Sequence, residues 1–165
     1  MLLEIGGERM RKTKKSKRHY IAVFIFVVYI VVLFYLLFFA ESMGRTNRHF
    51  SYNVKPFKEI KRFYEYRHKI GMEYFILNVF GNIVAFVPFG FFLPEINKKF
   101  SNVFVVVAAG LLFSLGVELL QLHYHIGSFD VDDIFLNTSG TFAGYILFKV
   151  YAIIRKIQRF IQRKD

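Results

Sequence analysis

Four long apolar runs divide the chain, and short polar or basic segments separate them. The runs cover residues 20–40, 74–93, 101–122 and 133–154. Each is close to the ~20 helical residues that cross the ~30 Å hydrocarbon core of a bilayer. A helix satisfies its own backbone polar groups in lipid, where water is absent. The pattern therefore predicts an all-α integral membrane helical bundle with four transmembrane helices.

The segment 41–71 between the first two runs is polar and mostly basic. Pro56 is suited to start a short helix there, because its fixed φ fits the first helical turn. The apolar side chains of that helix would share one face: Phe57, Ile60, Phe63 and Tyr64. This pattern is typical of an interfacial helix lying on the membrane, and a solvated linker is the alternative.

Basic tails flank the apolar region and set the expected domain organisation. Residues 1–19 are expected to form a disordered cytoplasmic tail, 20–154 the membrane domain, and 155–165 a basic cytoplasmic tail that continues as an amphipathic helix. A cleaved signal peptide is an alternative for the first run. The run is longer than the usual ~7–15-residue signal core, which favours an uncleaved helix.

The net charge of +11 indicates orientation in the membrane. With the N terminus in the cytoplasm, both tails and the Lys98–Lys99 turn lie inside, and together with Lys149 near the inner end of the fourth run they carry 15 of the 23 Lys and Arg residues. Cytoplasmic loops carry the excess of basic residues. We therefore expect a multi-pass cell-membrane protein with both termini cytoplasmic. Because the charges flank apolar runs, the expected partners are membrane lipids and not nucleic acid.

The chain contains no Cys, which excludes disulfides and thiolate metal sites. No known metal-binding or cofactor motif is present either, so neither a metal nor a cofactor is expected. Gly140 and Gly144 form a GxxxG pair, which permits close helix approach within the chain or between copies. The oligomeric state stays open.

Polar stripes follow three of the predicted membrane helices. Their residues recur at spacings of three and four, which place them on one helix face. The stripes are Asn78 and Asn82; Ser114, Glu118 and Gln121; and Asp133, Asn137 and Thr141. At a rise of ~1.5 Å per residue, all of them fall in the outer half of the membrane. We expect the stripes to face one another or a common cavity open to the outside.

Amide and hydroxyl side chains in these stripes indicate helix packing, whereas carboxylates indicate a functional site. Amides and hydroxyls commonly hydrogen-bond between membrane helices, whereas a buried carboxylate needs a proton, a cation or several donors. Glu118 and Asp133 are therefore the candidates for catalysis or ligand binding. Asp130 and Asp132 lie at the loop edge, where they are solvated or cap the fourth helix. His125, like His123, is suited to titrate near neutral pH or bind metal, although a solvated interfacial histidine is the common case.

A combination of motifs resembles the VanZ-like family over about residues 52–145. It comprises Asn78-x3-Asn82-x3-Phe86-x-Pro88-x-Gly90-x3-Pro94, then Glu118-x2-Gln121, then Phe129-Asp130-x-Asp132-Asp133-x3-Asn137-x2-Gly140-x3-Gly144, preceded by Asn53-x2-Pro56-Phe57. The resemblance implies a small multi-helix membrane protein. The founding member of the family is linked to low-level resistance to the glycopeptide teicoplanin, and no reaction is established. Many members have an Arg near the position of His125.

Three functions are compatible with these features. The first is a binding or protective role at the cell envelope, in which an outward polar site takes a lipidated glycopeptide or a lipid-linked cell-wall precursor. The second is a membrane enzyme acting on a lipid headgroup or wall-precursor phosphate, with Glu118 and Asp133 as acid and base or as cation ligands with Asp130 and His125. The third is a small transporter or scaffold. The predicted binding residues are Asn78, Asn82, Glu118, Gln121, His125, Asp130, Asp133 and Asn137.

Overall fold

A computed structural model describes residues 17–40, 52–125 and 129–162. Within these ranges the chain forms five α-helices: α1 (Lys17–Tyr35), α2 (Lys58–Ile70), α3 (Met72–Ile96), α4 (Val103–His123) and α5 (Val131–Ile161). A π-helical segment, Leu36–Ala40, extends α1, and a 3₁₀ turn, Lys98–Ser101, joins α3 to α4. The expected disorder of the tail up to residue 16 and the predictions for 41–51, 126–128 and 163–165 lie outside the described residues.

Three of the described helices are long and apolar enough to cross a membrane. The stretches that qualify are Lys17–Phe38, Phe75–Ile96 and Val103–His123. Helix α5 is longer but does not qualify, because polar residues occupy its first turns and cations lie along its second half. The helical fold is therefore confirmed, with three helices able to cross a membrane by length and composition, whereas the prediction of four spans is not.

Helices α3 and α5 share the most extensive interface, and glycines bring their backbones together. A Cβ added to these glycines would lie within about 2 Å of a carbonyl oxygen of the other helix: 2.1 Å for Gly140, 2.0 Å for Gly144 and 1.9 Å for Gly90. Such contacts leave no space for any side chain. The GxxxG pair thus serves packing within the chain.

Aromatic side chains fill the space between α1, α3 and α4. Phe86 is fully buried, and the ring of Phe113 on α4 lies 6.0 Å from it and 4.9 Å from Phe89. Tyr29 on α1 donates a hydrogen bond to the carbonyl oxygen of Ala85 at 2.7 Å. This bond uses a carbonyl of α3 and gives the buried hydroxyl a partner, which fixes α1 against α3.

Helix α3 continues past Pro94, the residue that follows the second apolar run, and ends at Ile96. Pro94 is buried inside the helix, and the helix ends where the Asn97 N–H donates to Leu93 O at 3.0 Å. A proline lacks the N–H that would bond to the preceding turn of its helix, so the disturbance lies on that side. The residues that follow it remain helical where neighbouring helices pack against them. The same reasoning accounts for Pro88 in the interior of α3.

Two short strands add an element that the all-α prediction did not contain. Strand β1 (Tyr52–Asn53) pairs in parallel with β2 (Phe129–Asp130), with Tyr52 opposite Phe129 and Asn53 opposite Asp130. Two residues are too few to show a strand periodicity. The pair joins the segment before α2 to the segment before α5, so both helices start at the same end of the bundle.

Candidate functional site

Hydrogen-bonding side chains gather where α3 begins, α4 ends and α5 begins, and we call this region the polar end. Asn82 Nδ2 on α3 donates to Asp133 Oδ1 on α5 at 2.6 Å. One turn deeper, Asn137 Nδ2 on α5 donates to Ser114 Oγ on α4 at 2.9 Å. The polar stripes of α3 and α4 therefore each contact that of α5, which lies between them.

Glu118 holds the chain that leads into α5. Its side chain is 4% exposed, and Oε2 accepts a hydrogen bond from the Asp130 N–H at 2.9 Å. Asp130 Oδ1 in turn accepts from the Asp132 N–H at 2.9 Å, as an N-cap of α5 does, and from Asn53 Nδ2 at 2.8 Å. Of the two alternatives considered for Asp130, helix capping is the one observed.

Asp132 caps a different helix from the one that carries it. Its carboxylate is 2% exposed and accepts hydrogen bonds from the backbone N–H groups of Phe57 at 2.5 Å, Glu59 at 2.8 Å and Ile60 at 3.2 Å. These groups are the donors that the start of α2 leaves without a helical partner. The negative charge also lies at the positive end of the α2 dipole. Asp132 thereby fastens α2 to the bundle.

The turn before α2 has the shape that this capping requires. Helix α2 begins at Lys58, two residues after Pro56, so the predicted start at Pro56 is slightly too early. Phe57 has a φ of 63°, a left-handed conformation that is uncommon for a bulky residue. The Phe57 ring packs edge-on against Phe135 of α5, with centroids 5.3 Å apart. Its N–H can thus point at Asp132 while its side chain contacts the same helix.

Burial makes two acidic groups of the polar end, Asp130 and Glu59, harder to ionise. It is the main reason why the pKa of Asp130 lies above its usual value, with neighbouring Asp132 adding to the rise. The Asp132 N–H, the Asn53 amide and the Arg62 charge act in the opposite direction. Burial also raises the pKa of Glu59, whose carboxylate forms an ion pair with Arg62. Arg62 thus compensates part of the acidic charge.

Several predicted site residues lie apart from this network. Gln121 Nε2 donates to the Leu37 carbonyl at 2.9 Å and ties α4 to the extension of α1. Asn78 is half-buried and makes no hydrogen bond to any residue that the structure describes. His125 is exposed, with a φ of 59° and its Nδ1 3.0 Å from Leu122 O. The exposed His123 stacks edge-on with Tyr124.

The described residues also show what the polar end lacks. Among them, no group of three or more His, Cys, Asp or Glu side chains is placed to hold a metal ion. The buried Asn137 Oδ1 and Thr138 Oγ1 have no hydrogen-bond partner within 17–40, 52–125 and 129–162. Thr141 Oγ1 bonds to Asn137 O within α5. The chemistry of the region is therefore that of hydrogen-bond donors and acceptors, together with exposed cations on α2.

The binding residues predicted from the sequence did not include four residues that build the polar end: Asn53, Glu59, Arg62 and Asp132. The acidic run before α5 marked Asp132 as a possible cap, but its actual partners lie more than 70 positions earlier. Local capping patterns relate a side chain to the helix that follows it directly. A cap supplied by a distant helix has no such local pattern.

Comparison with known proteins agrees with this architecture. The sequence profile of the VanZ/LLP1 family matches residues 26–154. Protein VanZ of Enterococcus faecium is 29% identical over 133 residues, which cover 78% of this chain and 72% of that protein. No solved structure matches the chain. Because the family profile covers most of the sequence, including α3, α4 and most of α5, the chain belongs to the VanZ/LLP1 family.

Proposed function

We propose that the chain is a four-span membrane protein of the cell envelope, with α5 as its fourth span. Helix α5 contacts α3 from the Asn82–Asp133 bond at one end to the ion pair between Glu95 and Arg155, 3.6 Å, at the other. A helix that runs beside a membrane span over this whole length crosses the membrane with it. Its 31 residues extend to about 46 Å at ~1.5 Å per residue, longer than the hydrocarbon core.

The distribution of charge supports an outward polar end and cytoplasmic termini. The opposite end of the bundle carries the start of α1, the Lys98–Ser101 turn and the last turns of α5, all of which are basic. The excess of Lys and Arg marks the cytoplasmic side. The polar end and α2 then face the cell wall.

We propose that the polar end binds an amphiphile, either a lipidated glycopeptide of the teicoplanin type or a lipid-linked cell-wall precursor, and so protects the cell envelope. The observation that carries this function is the docking of α2 by Asp132. It holds an amphipathic helix at the membrane boundary, with exposed cations at Lys58, Lys61, Arg62 and Lys69. An amphiphile lies at the same boundary.

Some of the proposed binding residues lie on the surface of the polar end, and others lie between the helices and support that surface. The cations of α2 suit the phosphates of a lipid-linked precursor, and exposed His125 lies on the surface of the same end. Buried Glu118 and Asn137 and half-buried Asp133 hold the segments that shape this surface. Half-buried Asn78 has amide groups to offer a ligand.

A resistance assay tests this function. Cells with and without the gene are compared for growth inhibition by teicoplanin and by a glycopeptide that lacks a lipid chain. We expect the gene to raise the inhibitory concentration several-fold for teicoplanin alone. Glu118→Gln should lower that protection, because the Asp130 N–H loses a charged acceptor and the start of α5 loosens.

The control variant is Glu73→Gln, which removes an exposed carboxylate from the first turn of α3. It should protect as the wild-type protein does, and immunoblots of the membrane fraction should show equal amounts of each variant. Unchanged teicoplanin sensitivity on deletion of the gene would remove the basis of the proposal. Equal loss of protection in both variants would show that the effect does not depend on the contact between Glu118 and the Asp130 N–H.

A further inference from the structure

A second candidate site lies at the opposite end of the bundle, and it is independent of the proposed function of the polar end. The last turns of α5 and Glu95 of α3 form an open groove of about 880 Å³. We call it the basic groove. Its lining includes the cations Arg155, Lys156 and Arg159 beside the apolar surfaces of Phe148 and Ala152.

An ordered charge cluster forms one wall of the basic groove. Glu95 Oε1 lies 3.3 Å from Arg18 Nε and 3.6 Å from an Arg155 guanidinium nitrogen. Both guanidinium groups also lie over the ring of Tyr151, at 5.3 Å for Arg18 and 5.8 Å for Arg155. One carboxylate thus joins α1, α3 and α5 and leaves a positive charge uncompensated.

Further positive charge lines the open side of the groove. Lys156 and Arg159 are exposed and form no ion pair with a residue in the described part of the chain. They lie three residues apart on one face of α5. The C-terminal ends of α3 and α5 carry partial negative charge, so binding of an anion here depends on the side chains and not on the helix dipoles.

The position of the groove identifies its occupant. Apolar side chains of α5 line the groove at Phe148 and Ala152, on the same helix face as Arg155 and Arg159, as suits contact with lipid chains. The cations begin where this apolar surface ends. A phospholipid has the same order of groups, since its phosphate lies at the boundary and its acyl chains lie in the hydrocarbon core. A soluble phosphate would make no use of the apolar wall.

We infer that the basic groove binds the headgroup phosphate of an anionic phospholipid, with the acyl chains along the apolar wall that Phe148 and Ala152 form. The Arg155 and Arg159 guanidinium groups donate hydrogen bonds to phosphate oxygens, and Lys156 adds a point charge. The bound lipid fixes the end of α5 at the membrane boundary.

Lipid titration of the purified full-length protein tests the site. Native mass spectrometry measures the affinity for phosphatidylglycerol and for phosphatidylcholine. We expect the wild-type protein to prefer phosphatidylglycerol and Lys156→Gln/Arg159→Gln to lose affinity for it by roughly fivefold for each cation removed. The matched control, Lys98→Gln/Lys99→Gln, removes the same charge from the same end but outside the groove, and should retain the preference.

A second variant separates shape from charge. Ala152→Phe fills the groove without changing any charge, and it should also weaken phosphatidylglycerol binding. Equal loss in the Lys98/Lys99 control would show a general surface-charge effect and overturn the proposal. If Ala152→Phe binds phosphatidylglycerol as tightly as the wild type, the lipid does not occupy the groove, and the proposal is also overturned. Glycerol 3-phosphate that binds as tightly as the lipid would show that the site takes a soluble phosphate and not a membrane lipid.

Discussion

At the scale of single residues, the carboxylates of the polar end accept hydrogen bonds from backbone N–H groups of other segments. Asp132 accepts hydrogen bonds from N–H groups at the start of α2, and Asp130 accepts one from an N–H at the start of α5. Glu118 accepts a hydrogen bond from the N–H of Asp130. A charged acceptor makes these bonds stronger than bonds between neutral groups. Asp130 and Asp132 therefore hold the starts of two helices in place, and Glu118, a catalytic candidate in the sequence, supports the first of these two residues.

Removal of the Asp132 carboxylate should release α2. Asp132→Ala leaves the N–H groups of Phe57, Glu59 and Ile60 without their acceptor, and we expect a loss of about 2 kcal/mol in the free energy of unfolding. Hydrogen exchange at residues 57–60 should accelerate before exchange in α3 does. Glu65→Gln, which changes an exposed carboxylate of α2, should leave that exchange as in the wild type. Unchanged protection in Asp132→Ala would contradict the capping role.

The raised pKa of Asp130 predicts a dependence of stability on pH. The folded protein binds this proton more tightly than the unfolded chain does, so the stabilisation is full below the ordinary pKa of 3.8 and is lost as pH rises through the higher folded pKa. Glu118 and Asp132 contact this residue, and Arg62 lies near enough to oppose the rise. Thermal unfolding of the wild type and Asp130→Asn, compared from pH 4 to 7, should show a smaller decline in the variant. Parallel curves would contradict the assignment.

At the scale of elements, the α3–α5 interface depends on direct backbone contact. Gly90, Gly140 and Gly144 each approach a carbonyl oxygen of the facing helix, where a methyl group has no space. The bonds from Asn82 to Asp133 and from Asn137 to Ser114 add polar contacts at one end of these helices. Packing of this kind associates membrane helices without a hydrophobic driving force between them.

A methyl group at Gly144 should separate the two helices. A Cβ there would lie 2.0 Å from Val87 O, so Gly144→Ala should lower stability by about 1–3 kcal/mol through overpacking. Thermal unfolding in detergent measures the change. The matched control is Gly81→Ala on α3, whose added Cβ meets nothing within 4 Å. If both variants unfold at the wild-type temperature, the close approach does not limit stability.

At the scale of the whole molecule, the ends of the bundle differ in character. The polar end combines buried acids with the docked helix α2, and the other end joins α1, α3 and α5 through Glu95 and surplus cations. This asymmetry is what a protein needs to distinguish the two faces of a membrane. The proposed envelope function and the proposed lipid site therefore lie at opposite ends of the bundle.

Single cysteines test the four-span arrangement, because the natural chain has none. In intact cells, a membrane-impermeant maleimide should label His125→Cys but not Lys99→Cys or Gln162→Cys. The latter two should react only after the membrane is permeabilised, since both then lie in the cytoplasm. Labelling of Gln162→Cys in intact cells would show that α5 does not return to the cytoplasmic side.

The sequence predicted most of the helical framework from length and apolarity. The apolar runs correspond to α1, α3, α4 and the larger part of α5, with ends displaced by a few residues. The spacing of Asn82, Ser114, Asp133 and Asn137 predicted that the polar faces would meet, and they do. The same spacing placed Asn78 on the polar face of α3, where it is half-buried and makes no hydrogen bond to a described residue.

What the sequence determined by itself is what depends on neighbouring residues: helix formation, the polar face of each helix, the family, and the basic character of one end. The tertiary structure alone decided which groups became partners. It placed Asp132 at the start of α2, paired β1 with β2, and brought Gly140 and Gly144 against α3. These contacts join positions far apart in the chain, and local periodicity carries no information about the distant partner. The packing of complete helices selects that partner.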